Sequence, residues 1–136
     1  MASTILLADD SPHARRMGTQ YLNDLGYTVA TAQDGPEALA RLEELSRRQT
    51  PPVLILADAA LPGCPGVELA RQVKQRAEWR HIPVLILLGA LAPAAGLESA
   101  DGALRKPLSS AGLQRWLQHS PQEMLRLAVL DAVTSS

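Results

Sequence analysis

The sequence predicts an α/β domain, a doubly wound five-stranded parallel sheet with strand order 2-1-3-4-5. Three observations carry this. First, three short apolar runs, Ile5-Leu6-Leu7-Ala8, Val53-Leu54-Ile55-Leu56-Ala57 and Val84-Leu85-Ile86-Leu87-Leu88, do not alternate with polar residues. Strands covered on both faces of a parallel sheet have this unbroken pattern. Second, the segments between them show helical spacing, so that strand and helix alternate along the chain. Third, right-handed crossovers leave few topologies for such an alternation at this length.

Each element follows in order. After the first strand, Ser11 is an N-cap, Pro12 takes the first helical position and Gly26 stops a helix over Pro12 to Leu25. A weaker strand is expected at Thr28 to Ala32. A second helix over Pro36 to Arg48 places Ala38, Leu39, Leu42 and Leu45 on one face. A third, Val67 to Arg76, repeats Val67, Ala70, Val73 and Lys74 at helical spacing. Between the fourth strand and a fifth at Gly102 to Arg105, the stretch Gly89 to Gly96 contains two glycines and a proline. The helix joining those strands should therefore be short or broken. A helix over Ser110 to His119 carries Leu113, Trp116 and Leu117. Ser120-Pro121 then starts a further helix, Gln122 to about Val133, that is apolar on most sides. It could dock back on the domain, pair with its copy in a homodimer, or lead into an output domain.

Bulk properties narrow the function. The chain has 136 residues, enough for one domain with a substantial core, and is 46% hydrophobic and 20% charged. A formal net charge of -1 argues for neither a nucleic-acid surface nor a basic membrane patch. One cysteine, Cys64, rules out an internal disulfide. The start lacks the basic region and longer apolar stretch of a signal peptide, and no run approaches the ~18 apolar residues of a membrane span. A cytoplasmic location is the expectation.

The acidic residues carry the chemistry. Asp9 and Asp10 follow the first strand and Asp58 follows the third. These strands are neighbours in the proposed order, and functional groups in doubly wound sheets gather beyond the carboxyl ends of strands where the order reverses. Three converging carboxylates repel unless a cation or proton is shared. Magnesium suits them, because it takes oxygen ligands and is commonly completed by phosphate oxygens. Lys106, fixed by Pro107 behind it, adds a positive charge at the same mouth. Carboxylates, metal and lysine make a phosphoryl-transfer site, in which one carboxylate is the nucleophile. The bland alternative is that aspartates after strands cap the next helix. An Asp-Asp pair or a Lys-Pro alone would mean little, but their joint placement at the correct strand ends favours the functional reading.

Over Thr4 to His119 the sequence resembles the response-regulator receiver domain of two-component signalling. The matching pieces are Ile5-Leu6-Leu7-Ala8-Asp9-Asp10-Ser11-Pro12, Ala32-Gln33-Asp34-Gly35-Pro36-Glu37-Ala38-Leu39, Asp58-Ala59-Ala60-Leu61-Pro62-Gly63, Gly66, Ile82-Pro83-Val84 and Lys106-Pro107. The resemblance implies a flavodoxin-like fold, with a receiver domain over 1–119 and a C-terminal helical extension over 120–136. It implies Asp58 as phosphoacceptor and Asp9 and Asp10 as magnesium ligands. The backbone carbonyl of Ala60 would complete the metal site, and Lys106 would contact the phosphoryl oxygens. Phosphoryl groups would come from a histidine kinase, a phosphotransfer protein or a small phosphodonor. Output would pass to a downstream protein or a covalently linked output domain.

Two positions depart from the family. Where members place Ser or Thr at the end of strand 4, this chain has Leu88. Where they carry Tyr or Phe three residues before the lysine, it has Ala103. The stretch from Leu88 to Lys106 is also shorter than the family's by about one helical turn. A switch needs a two-state element to bias, and these are the parts that would supply it. The changes fit drift in a domain that still receives phosphate, or an output face rebuilt for a constitutive partner. A degenerate, phosphorylation-independent docking domain is thus one alternative. An aspartate-nucleophile phosphatase is another, but that class has a second acid two residues after the nucleophile, where this chain has Ala60. The expected protein is a phosphoacceptor, not an enzyme acting on other substrates.

The remaining candidates receive structural readings. His13, His81 and His119 lack metal-ligand spacing. Cys64 fills a position for a small apolar residue. Arg15-Arg16 and Arg47-Arg48 read as solvated helix faces, and Trp79 and Trp116 as partly buried covers.

Overall fold

The computed structural model describes residues 3–92, 96–106, 108 and 110–117. Its elements are β1 (Thr4–Ala8), α1 (Pro12–Asp24), β2 (Thr28–Ala32), α2 (Gly35–Arg47), β3 (Leu54–Asp58), α3 (Gly66–Gln75), β4 (Val84–Leu88), β5 (Gly102–Arg105) and α4 (Ser110–Leu117). The strands form one sheet in the order β2-β1-β3-β4-β5, with every neighbouring pair parallel. The predicted topology is therefore the observed one.

The unbroken apolar runs are buried on both faces. In β1, Leu6 and Ala8 face one core layer, and Ile5 and Leu7 face the other. The first layer is covered by α2 and α3 through Ala38, Leu42, Leu69, Ala70 and Val73. The second is covered by α1 through Leu22 and by α4 through Leu113. Alternate side chains of a strand point to opposite faces, so a strand covered on both faces is apolar along its buried run, whereas the edge strand β2 keeps Thr28 exposed and Thr31 half-buried.

Helix starts follow the local chemistry. The Ser11 side chain accepts from the Ala14 amide at 3.1 Å, and the Asp34 carboxylate accepts from the Glu37 amide at 2.7 Å. Each satisfies an otherwise unpaired donor of the first turn. Gly26, at φ 96°, takes the left-handed conformation that ends α1 and turns the chain toward β2.

Between β4 and β5 the described residues form turns and carry no helix. The expected shortening thus goes as far as loss of helical structure among them. What holds β5 in place is polar. The Asp101 carboxylate accepts from the Val84 amide at 2.8 Å, and the Asp101 amide donates to the Val84 carbonyl at the same distance. Lys74 of α3 pairs with the same carboxylate at 2.8 Å and donates to the Ile82 carbonyl at 2.7 Å.

Trp79 corrects an expectation. It is 2% exposed, a core residue and not a partial cover, and its Nε1 donates to Ser46 Oγ at 2.9 Å. That acceptor on α2 removes the cost of burying the indole N–H. The Trp116 side chain, His119 and the expected helix within 120–136 lie outside the described residues. No helix among the described residues is long and apolar enough to cross a membrane.

Candidate functional site

The site lies beyond the carboxyl ends of β1, β3 and β5. Asp9 follows the last residue of β1, and Asp58 is itself the last residue of β3. The pairing of β1 with β3 sets Ala8 beside Ala57, so the two aspartates leave adjacent strands at the same level. One carboxylate oxygen from each of Asp9, Asp10 and Asp58 lies within 4.8 Å of the others. Asp9 and Asp58 are buried, at 1% and 7% exposure, whereas Asp10 is exposed. Two buried carboxylates beside an exposed third form a pocket with one open side. The three oxygens are the donor chemistry that magnesium prefers.

Lys106 joins them from the end of β5. Its Nζ lies 2.8 Å from Asp58 Oδ2 and 2.9 Å from Asp9 Oδ2. Partial burial would pull the ammonium pKa down. Hydrogen bonds to Asp58 and Asp9, and their charges, more than offset this and hold it above its usual value. The Lys106 amide also donates to the Leu88 carbonyl at 2.8 Å, so the end of β4 fixes the lysine's backbone.

The other carboxylate oxygens are held by backbone amides. Asp58 Oδ1 accepts from the Ala60 amide, and Asp9 Oδ1 from the Ser11 amide, both at 3.0 Å. These bonds fix each carboxylate while leaving its remaining lone pairs for a ligand. Gly66 permits the tight return after β3. A Cβ there would lie 2.5 Å from the Asp58 carbonyl oxygen, so no side chain fits where α3 begins.

The structure therefore brings Asp9, Asp10, Asp58 and Lys106 together. Ala60 is there too, exposed and contributing its amide. Leu88 and Ala103 are 3% and 0% exposed and belong to the same core layer. Neither side chain offers a hydrogen-bonding group to the pocket.

Two arginines were misjudged or missed. Arg15, expected on a solvated face, is half-buried, and its Nη1 donates to the Asp9 carbonyl at 2.7 Å. Arg105 Nη1 donates to the carbonyls of Gly89, at 2.6 Å, and Ala92, clasping the chain after β4. Their acceptors are backbone carbonyls at separations with no sequence signature, so composition and spacing could not reveal them. Arg16 is exposed as expected, as are His13 and His81. Cys64 is buried against the bare backbone of Gly35. Burial first, and then the nearby Glu68 carboxylate, push its thiol pKa above the usual range. This is an inert packing role, as expected.

A doubly wound sheet with an acidic trio and a paired lysine at its switch point is an α/β arrangement chemically suited to phosphoryl transfer. Comparison with known proteins gives the family. The response regulator receiver domain profile matches residues 5–118, and the chain belongs to that family. It is 35% identical over 117 residues to Response regulator PleD of Caulobacter vibrioides, which covers 83% of this chain and 25% of PleD. Among solved structures it is similar to the chemotaxis response regulator CheY4 of Vibrio cholerae. That match has a TM-score of 0.72 and 29% identity, covering 87% of this chain and 98% of CheY4. A third similar protein is the receiver domain of sensor histidine kinase PA1611 from Pseudomonas aeruginosa PAO1, solved with a magnesium ion in its active-site cleft. Here the TM-score is 0.72 and the identity 28%, over 87% of this chain and 96% of that one. The chain spans between 11% and 45% of the length of three curated relatives, PleD among them. The family's general function is to accept a phosphoryl group in two-component signalling.

Proposed function

We propose that Asp58 accepts a phosphoryl group from a partner histidine kinase or phosphotransfer protein, in a magnesium-dependent reaction whose output is protein–protein contact. One observation carries this reading. Asp58 ends β3 inside an acidic trio of two buried carboxylates and one exposed, with one oxygen paired to Lys106 and the other held by the Ala60 amide. A carboxylate so fixed is aimed for in-line attack on phosphorus. Lys106 stands where it can pass from the carboxylates to the oxygens of the transferred group. Magnesium held by Asp9, Asp10, Asp58 and the Ala60 carbonyl would neutralise charge on those oxygens. The amide of Ala60 keeps the attacking group oriented throughout. We place the reaction in the cytoplasm, where kinase partners and magnesium are available.

Intact-mass measurement tests the reading. With magnesium and a small acyl phosphate, the chain should gain a single phosphoryl group, sensitive to hydroxylamine as an acyl phosphate is. An unmodified chain under those conditions would sink it.

A second reading, phosphorylation-independent docking, is favoured by a specific observation. Leu88 and Ala103 are packed into the core and give the pocket no group that responds to phosphate. On that reading the carboxylate pocket is retained, but partner affinity is the same with and without the phosphoryl group. Measuring partner affinity for both forms separates the two.

A further inference from the structure

A cavity of about 630 Å³ opens beside the acidic trio, on the side of α1 and the end of β5. Asp9, Ser11, His13 and Lys106 supply its polar lining. The rest is lined mainly by apolar groups of Leu7, Leu87, Ala14, Met17, Tyr21 and Leu108. Its volume lies in the range of small-molecule sites, roughly 300–1,000 Å³. Gly18 lets Leu7 pack directly on α1 at the cavity's floor: a Cβ at that position would lie 2.7 Å from Leu7 Cδ2. The chain after β4 contributes Gly89 and Ala90, which are also small.

We infer that this cavity is a subsite for the apolar acyl group of an acyl phosphate donor. The inference rests on Asp58 as phosphoacceptor and adds a donor preference to it. Continuity carries it: Asp9 and Lys106 line the cavity and also contact Asp58 or its acidic partners. A donor whose phosphoryl group lies at Lys106 can therefore extend its other end between α1 and Leu108. In the transfer, an Asp58 oxygen forms a bond to phosphorus while the bond from phosphorus to the donor's carboxylate oxygen breaks. The electron pair leaves with that carboxylate, and no oxidant or further reactant enters. A methyl group fills little of the cavity. An aryl group buries its face against Met17, Tyr21 and Leu108, the large apolar side chains of the lining that are not buried in the core.

The test compares benzoyl phosphate, acetyl phosphate and phosphoramidate, which has no acyl group, by intact mass with magnesium at equal sub-saturating concentrations. Burial of the phenyl group should make benzoyl phosphate about tenfold faster than acetyl phosphate. Ala14→Leu on α1 and Ala90→Leu on the exposed turn fill the cavity from separate elements, and each should bring that ratio toward one. A wild-type ratio near one, with acetyl phosphate and phosphoramidate both reacting, overturns the subsite and leaves the Asp58 reading standing. A high ratio that neither variant lowers also overturns it, because the preference would then be intrinsic to the donor. Modification by none of the three donors overturns the Asp58 reading and the subsite with it.

Discussion

The carboxyl end of β1 and β3 and the edge formed by β4 and β5 lie side by side in one sheet, yet they are built on different terms. At the first, charged side chains face one another. Asp9, Asp10 and Asp58 crowd within 4.8 Å, and Lys106 is the counter-charge that makes this tolerable. At the second, Leu88 and Ala103 face the core. The polar side chains there tie down the chain itself: the Asp101 carboxylate holds the Val84 amide and pairs with Lys74, and Arg105 holds the carbonyls of Gly89 and Ala92. The first region holds charge ready for a ligand, whereas the second spends its polar groups on holding itself still. The charged residues of the receiving site are thus together at the first region, while Leu88 and Ala103 give the second no polar group that could follow them.

The largest effect should fall on the first region. Asp58→Asn leaves the side chain the same size and keeps an oxygen for the Ala60 amide, but removes the nucleophile. Phosphoryl addition by small donors should be lost entirely, as read by intact mass. A modified Asp58→Asn chain would mean that another residue is the acceptor.

Lys106→Met comes next. Without metal it leaves Asp9 and Asp58 buried with no counter-charge. Because the lysine is partly exposed, we expect a loss of about 2 kcal/mol in a urea titration, less than for a fully buried pair. Millimolar magnesium should restore part of the loss, and no response to magnesium would count against a cation site. The wild-type pair also has a pH signature. Lys106 is held above its ordinary 10.5, so its stabilising contribution is complete below that pH. It is lost as pH rises through the folded value.

A smaller effect is expected at the second region. Asp101→Ala removes the acceptor of the buried Val84 amide and the partner of Lys74. An unpaired buried donor costs about 1–3 kcal/mol. We expect roughly 1.5 kcal/mol in stability, with little change in the rate of phosphoryl addition. A large loss of that rate would show that the two regions are coupled and that the contrast between them is too sharp.

How much of this was legible depends on how far a feature's cause lies along the chain. The strands showed because burial on both faces forces an unbroken apolar run, a local mark. The helix starts showed because Ser11 and Asp34 act on amides three residues away. The site showed because carboxylates fell at the ends of strands whose order could be inferred. Trp79 was misread because its acceptor, Ser46, is 33 residues away. The tie between Lys74 and Asp101 was missed for the same reason. Arg15 is close to Asp9 in sequence, but it bonds a carbonyl, and every residue has one. Charge gathered at the ends of neighbouring strands can be read from sequence; a bond whose partner lies far along the chain, or is a backbone carbonyl, cannot.

The smallest expected effect bears hardest on the contrast. Beryllium fluoride with magnesium mimics an aspartyl phosphate, and amide chemical shifts report its reach. Shifts should be large at Asp9, Asp10, Asp58, Ala60 and Lys106, which touch the pocket or its ligand. At Ala100 and Ala103 they should be no larger than at Val29 on the far edge strand. The reason is mechanical. In the family a hydroxyl at the end of strand 4 follows the phosphoryl group, and an aromatic ring on strand 5 follows the hydroxyl. Leu88 has no donor to follow with, and the Ala103 methyl has no second rotamer to adopt. Asp101 and Arg105 meanwhile hold the chain on both sides of β5. A ligand shifts a conformational equilibrium only where it interacts differently with two states, and neither the Leu88 nor the Ala103 side chain has a polar group through which a phosphoryl group could do so. Large shifts at Ala103 would show that one exists, and would return this chain to the ordinary switching members of its family.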